Sequence, residues 1–398
     1  MRIACAGGGP AGLYFAILMK LWQPESDVTV FERNATGVTH GWGVIWERRF
    51  LDRMAGLDAE SAAEIERDSS RWRDQVINFR GVREVNGANK GTYAVSRQRF
   101  VDILAARARG LGVDIRYSRE VRDAAQLPDA DLIVAADGVN SMLRDGRQAG
   151  FGTSVRTGRN KYTWLGTSKA YESFSFFFEQ TEAGWIWAHA YQHEPTASTF
   201  IVECTPATWA GLGFDNGPAS MALDRLEEIF GKHLDGHRLT SRFPDGSEAR
   251  WQNFRTVRNE RWHDGRVALV GDSAHTAHFS VGLGTTLAID DVIALAEQLR
   301  RAGAGGDLEP ALAAYQQQRQ SELRLHAISA DRSEAFFENL PRYAGLPPSE
   351  FATVLHARRA PLLPYLPPRV FCQLNRARER FPAVDALRTL VSRLTDQT

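Results

Sequence analysis

Apolar positions change period twice near the start of the chain. "RIACA" (Arg2–Ala6) is a short apolar run, "AGLYFAILMKLW" repeats apolar residues at helical spacing, and "DVTVFER" is β-branched and apolar before turning charged. The pattern predicts a strand, a turn, a helix and a strand, a βαβ unit. "GWGVIWERRFLDRMAGLD" is expected to be a loop entering a helix. "VSRQRFVDILAARARGLGVDIRYSREV" predicts a helix ending near Gly110 to Gly112, then a strand, and "DADLIVAADGVNSMLR" a buried strand followed by a glycine turn. From about Thr163 to Cys204 the pattern alternates or runs in strand-like blocks dense in aromatics, "FSFFFEQ", "GWIWAHAYQ" and "STFIVEC". This predicts an antiparallel sheet inserted into an α/β framework. "MALDRLEEIFGKHL" is an amphipathic helix. "GRVALVGDSAHTAHFSVGLGTTLAIDDVIALAEQLR" restores the α/β pattern, and the chain after about residue 305 is expected to be mostly helical, with a proline-rich bend at "RAPLLPYLPPRV".

Composition narrows the function classes. The chain has 398 residues, and 48 Lys and Arg balance 48 Asp and Glu. Nothing in that balance points to nucleic acid or to an anionic membrane surface, and no apolar run is long enough to cross a bilayer. Arg2 and the apolar residues after it imitate a signal peptide, but Gly7, Gly8, Gly9 and Pro10 break the run and no small-residue cleavage site follows. Cys5, Cys204 and Cys372 lie far apart without CxxC spacing. They give neither a familiar zinc site nor a disulfide framework, so no metal is expected and a reduced, cytoplasmic setting fits.

Against that background the glycines carry the chemistry. Gly7, Gly9 and Gly12 form GxGxxG around Pro10 and Ala11, after a strand and opening a helix. A tight turn alone would need glycine too. A dinucleotide site needs it for the turn, for close approach of a pyrophosphate and for helix packing, with the helix N-terminus facing the phosphates. Glu32, followed by Arg33, ends the next strand about 20 residues on, where an acid holds an adenosine ribose. Asp137-Gly138 follows a second buried strand and Gly271-Asp272 a third. An Asp there can bond ribose or ribityl hydroxyls, although Asp-Gly turns are common. Gly282 to Thr286 would place backbone N–H groups and a helix N-terminus near a phosphate or flavin edge.

In this order the three motifs resemble the para-hydroxybenzoate hydroxylase type of flavoprotein monooxygenase, over about residues 1 to 330. The resemblance implies an α/β fold: a Rossmann-like FAD-binding domain (1–70, 95–155 and 255–330) interrupted by an antiparallel β-sheet substrate domain (71–94 and 156–254), then a helical C-terminal region (331–398). It implies FAD held by Gly7, Gly9, Pro10, Ala11, Gly12, Glu32, Arg33, Gly43, Val44, Arg97, Asp137, Asp272, Gly282, Gly284, Thr285 and Thr286. NADH or NADPH would donate electrons without a Rossmann domain of its own. O2 would be the co-substrate, acting through a flavin hydroperoxide on an electron-rich ring. "GWGVIWE", "GRNKYTWLGTS", "AHAYQHEPTASTFIVEC" and "GDSAHTAHFSVGLGTT" resemble a subgroup that hydroxylates salicylyl-CoA, anthraniloyl-CoA and tryptophan. Length and the opening residues lean toward the salicylyl-CoA 5-hydroxylases, so the expected partner is a small aromatic molecule as its CoA thioester, and the expected assembly a monomer or homodimer.

The chain departs from the wider family after the GD motif. Pro-Pro and GxGxN are replaced by His278-Phe279 and by Thr285-Thr286, which puts inherited roles at this loop in doubt. His278 is either a packed loop histidine or a proton-transferring group at the reaction centre, and His189 faces either core or substrate. These two are the catalytic candidates. Tyr162, Trp187 and Phe279 are the substrate candidates, while Trp164, Trp185, Tyr191 and Phe200 are most simply sheet core. His275 is expected to be structural. Arg159 belongs to a salt-bridged hinge or to a positioning group. Arg369, Arg376 and Arg380 lie on a solvated helix face or contact CoA phosphates. A basic groove would favour a CoA ester and an uncharged one free tryptophan or an indole. A reductase that never activates oxygen, and a flavin-holding protein without turnover, remain as alternatives.

Overall fold

The computed structural model describes residues 1–87, 91–216, 219–243, 246–303 and 306–380. A six-stranded sheet runs in the order His263–Asp264, Val267–Leu269, Leu132–Ala135, Arg2–Ala6, Asp27–Phe31, Asp114–Arg116, and all pairs but the first are parallel. Ile3–Ala6, Leu132–Ala135 and Val267–Leu269 are wholly buried, the mark of a parallel sheet covered on both faces. The helix Pro10–Trp22 packs between the helices Arg97–Gly110 and Gly284–Ala302. Its close approach depends on Gly12, where a Cβ would overlap the Gly7 carbonyl oxygen. Gly7 itself has φ +111°, a region that side chains rarely adopt.

A larger sheet carries the aromatic blocks. Its order is Leu239–Thr240, Thr153–Thr167, Ala197–Cys204, Gly184–Glu194, Phe174–Thr181, Gln75–Phe79, Val82–Asn86, with Gln252–Asn259 also paired to Thr153–Thr167. Phe174–Thr181 and Gln75–Phe79 run parallel, so the sheet is mixed rather than wholly antiparallel. Pleating separates two faces. Phe177, Ala188, Ala190, Phe200 and Val202 pack beneath the amphipathic helix Ala219–Leu234 through Leu226, Phe230 and Leu234. On the other face, adjacent cross-strand rows read Phe176, His189, Ile201, Trp164 and Phe178, Trp187, Glu203, Tyr162.

The C-terminal region is helical over Leu308–Glu338, Pro348–His356 and Pro368–Arg380. It folds back onto that second face, where Phe337 stacks on Trp187 at 5.9 Å and Phe351 on Phe79 at 3.8 Å between ring centroids. "GWGVIWE" is not a loop. Gly43–Glu47 is a strand paired with Thr92–Ser96, which also pairs with Ser70–Trp72 in a small third sheet. No helix among the described residues is long and apolar enough to cross a membrane.

Candidate active site

The C-terminal ends of three parallel strands open onto a cavity of about 560 Å³, whose far wall is the aromatic face of the large sheet. This volume lies within the range of small-molecule and cofactor sites. Gly9, Pro10 and Ala11 enter it from one helix N-terminus, and Gly284, Thr285 and Thr286 from another. Unpaired N–H groups and the helix dipole make both ends suited to anionic oxygens. Gly9 has open space where a Cβ would stand. Gly43, Val44 and Gly282 complete this half of the wall, and a Cβ on Gly282 would meet Ile45 at 2.6 Å.

Two charged groups belong to the same half. Arg97 is deeply placed and its Nε has no partner. Burial lowers its pKa, opposed by the charge of Asp272. Asp272 lies deep in the molecule, yet its side chain is accessible because it fronts the cavity. Burial raises its pKa, with Arg97 pulling the other way. The turn that presents Asp272 is braced from behind. Asp291 Oδ2 accepts from Gly271 N–H at 2.9 Å and lies 2.8 Å from His275 Nε2, while Arg319 Nε donates to Oδ1 at 2.8 Å.

Five of the predicted cofactor residues stand behind this wall. Gly7 and Gly12 shape the turn. Glu32 accepts Gly8 N–H at 2.7 Å and Asn34 N–H at 2.8 Å. Asp137 Oδ2 accepts Met142 N–H at 2.8 Å, while Oδ1 is buried without a partner. Arg33 is exposed to solvent.

The other half of the cavity is aromatic. Tyr162 and Phe279 lie 4.7 Å apart, with Trp164, Phe174, Tyr191 and Phe254 around them. His189 is on this wall, edge-on to Phe176 at 4.7 Å, and its Nε2 has no partner. Burial holds its pKa well below the usual imidazole range, so it is neutral.

Two candidates fall elsewhere. His278 turns away from the cavity: its Nδ1 lies 2.7 Å from Ser280 Oγ, its ring is edge-on to Phe254, and burial pushes its pKa down to about 3. Trp187 shares a face with His189 but sits beyond the cavity under Phe337, with Nε1 donating to Glu203 Oε2 at 3.0 Å. Arg159 pairs with Glu338 at 3.1 Å and Arg376 with Glu350 at 3.1 Å, and Arg369 is exposed. None of these three lines the cavity. The side chain of Arg380 lies outside the described residues.

The sequence reading missed Arg358 and Arg359, both on the cavity wall. They stand in "HARRAPLLP", a stretch without a motif, and reach the cavity only because the C-terminal helices fold back.

The FAD binding domain family matches residues 1–325. The chain is 37% identical to salicyloyl-CoA 5-hydroxylase from a Streptomyces species, over 91% of this chain and 70% of that one. It is 36% identical to a 3-hydroxy-4-methyl-anthranilyl-(aryl-carrier protein) 5-monooxygenase from Streptosporangium sibiricum, over 75% and 79%. It is 32% identical to protodeoxyviolaceinate monooxygenase from Chromobacterium violaceum, over 92% and 96%. Its fold is shared with the tetrameric form of 2-methyl-3-hydroxypyridine-5-carboxylic acid oxygenase, with TM-score 0.67, 22% identity and coverage of 91% and 93%.

Proposed function

This chain belongs to the FAD-binding family of aromatic monooxygenases, and we propose that it hydroxylates salicylyl-CoA para to the ring hydroxyl, giving gentisyl-CoA. FAD is its cofactor, and a reduced nicotinamide and O2 are consumed. The observation that carries the proposal is one cavity in which two helix N-termini and an uncommitted Arg97 face an aromatic wall. Arg359 on the cavity lining favours an anionic ester over a free amino acid, while neighbouring Arg49 is paired with Glu47 at 3.2 Å. The 37% identity to a salicyloyl-CoA 5-hydroxylase supports the acyl group.

The residues present fit a flavin dinucleotide. Gly9 leaves room for a pyrophosphate, and the buried Nε of Arg97, on the cavity lining, awaits a partner. We assign Gly9 to Ala11 and Arg97 to the pyrophosphate, Glu32 to the adenosine side, Asp272 to the ribityl or pyrophosphate side, and Gly282 to Thr286 to the flavin edge. Residues 1–70, 95–155 and 255–330 would form the FAD-binding domain and 71–94 with 156–254 the substrate domain. When bound, the flavin supplies the redox chemistry by which NAD(P)H and O2 yield one electrophilic oxygen atom.

The protein orients the ring and excludes water. Tyr162, Phe279 and Phe174 hold a flat ring by its faces, since aromatic pairs prefer tilted or offset packing. A misplacement of about 1 Å costs about 100-fold in rate. His189, held neutral, offers Nε2 as one hydrogen-bond partner to a ring substituent. His278 clamps the loop through Ser280 rather than meeting substrate.

The test is NADH and NADPH oxidation with O2 uptake by the FAD-loaded protein, comparing salicylyl-CoA, anthraniloyl-CoA, salicylate and tryptophan. Acceleration by salicylyl-CoA alone, with one oxygen gained by mass, is expected. Hydroxylation of free tryptophan would refute the substrate assignment. Oxidation that no aromatic ligand accelerates would refute the oxygenase assignment.

A further inference from the structure

Arg358 is an oddly placed charge. It is 7% exposed, lies on the cavity wall, and has no carboxylate partner among the described residues. Its Nε donates to Ser333 Oγ at 3.0 Å, one terminal nitrogen to Leu355 O at 3.0 Å, and the other to Ser280 O at 3.0 Å. A guanidinium carries five N–H donors, so two remain. The acceptors used are neutral and none cancels the charge. Burying an uncompensated cation is costly. Burial, with Arg359 beside it, pushes the pKa of Arg358 down to about 9, which still leaves it cationic at neutral pH. The histidines that feel its charge, His189, His278 and His356, all have their pKa values lowered by burial and supply no counter-charge.

Its position is fixed. The guanidinium lies 5.8 Å from the Phe176 ring centroid, and Phe176 is the ring edge-on to His189. Ser280 Oγ is 2.7 Å from both His278 Nδ1 and Ser333 Oγ, so the loop bearing Phe279 and the arginine share one network. The donors are therefore pre-organised beside the aromatic wall, and Arg is suited to hold an oxygen anion in that geometry.

We infer that Arg358 binds the ring-borne oxygen of the aromatic substrate as its phenolate, at the stretch of cavity wall formed by Ser280, Phe279 and His189. This rests on the substrate proposed above: a salicylyl thioester has no carboxylate near its ring, so the phenolate is the one anion it can offer there. Binding the phenolate also activates the carbon para to it toward an electrophilic oxygen. Arg358 is then a specificity-determining residue, recruited from the C-terminal region.

The test measures binding to the FAD-loaded full chain without NAD(P)H, by titration calorimetry and by the phenolate absorbance of the bound ligand. Salicylyl-CoA is compared with benzoyl-CoA, which lacks the hydroxyl, in wild type, R358Q and R358K. Wild type is expected to prefer salicylyl-CoA by roughly 10- to 100-fold, the range for a hydrogen bond to a charged group, and to bind it as phenolate. R358Q should lose the preference and the phenolate band while benzoyl-CoA affinity and flavin content hold, and R358K should restore part of both. If R358Q fails to retain flavin, R358K alone carries the test, with a reduced preference expected and an unchanged one refuting the anchor. Equal loss of both ligands in R358Q would overturn the inference in favour of a merely structural arginine. A wild type that hydroxylates salicylyl-CoA while R358Q keeps the preference overturns the anchor alone. A wild type that ignores salicylyl-CoA overturns the substrate proposal and the anchor with it.

Discussion

Asp291→Asn should destabilise the chain out of proportion to the one atom it changes. Asp291 is fully buried, and neighbouring His275 and Arg319 hold its pKa below the ordinary carboxylate value despite burial. Oδ2 faces two groups, Gly271 N–H and His275 Nε2, and Oδ1 receives Arg319 Nε. An amide keeps one acceptor. If its oxygen faces Gly271, its NH2 points at the Arg319 donor. If it is flipped, its NH2 points at the Gly271 donor. Either way a buried donor is stranded and Arg319 loses its buried anion. Breaking a buried ion pair from one side costs about 3–5 kcal/mol. Arg319 also reaches Glu322, which is half exposed, and Leu287 O, so the lower end, about 3 kcal/mol, is expected. Because Gly271 precedes Asp272 on the cavity wall, FAD retention should fall as well. Chemical denaturation of apoprotein and flavin absorbance after purification read the two effects. A variant within about 0.5 kcal/mol of wild type, the range of neutral surface changes, would refute the bracing role.

Gly12→Ala should abolish FAD retention, since its methyl group overlaps a backbone oxygen that has no room to move; the flavin spectrum of the purified variant checks this. Burial pushes Glu203 up to about 8, against hydrogen bonds from Asn160 and Trp187. Its folded pKa is thus raised above the unfolded carboxyl value of about 4.3, and its contribution to stability is complete below that value and lost as pH rises through 8. Thermal midpoints should therefore fall from pH 5 to pH 9 in wild type, and E203Q should flatten the difference. Trp187→Phe should leave kcat nearly unchanged, because the indole lies outside the cavity, but should cost roughly 1–3 kcal/mol of stability by stripping a buried hydrogen bond from Glu203; steady-state kinetics with denaturant unfolding separate the two.

The sequence by itself determined whatever rests on local spacing. The strand, glycine turn and helix at Arg2–Trp22 follow from period and backbone freedom, and so do the Asp-bearing turns at Asp137 and Asp272. The amphipathic helix under the large sheet was legible for the same reason, since one face of Ala219–Leu234 is apolar. The strand at Gly43–Glu47 was not, because what makes it a strand is its partner Thr92–Ser96, far along the chain. Alternation put Trp187 and His189 on one face, and Phe337 packs against both, but only the tertiary packing decided that the second borders the cavity and the first does not. His278 could have pointed either way from its loop until Ser280, itself held by Ser333, offered a partner. Arg358 is the clearest case. No motif marks it, and it becomes a buried charge beside the aromatic wall only when the C-terminal helices close over that face. Side chains brought together from residues 97, 189, 272 and 358 have no fixed spacing for a sequence to display, and their encounter belongs to the tertiary fold alone.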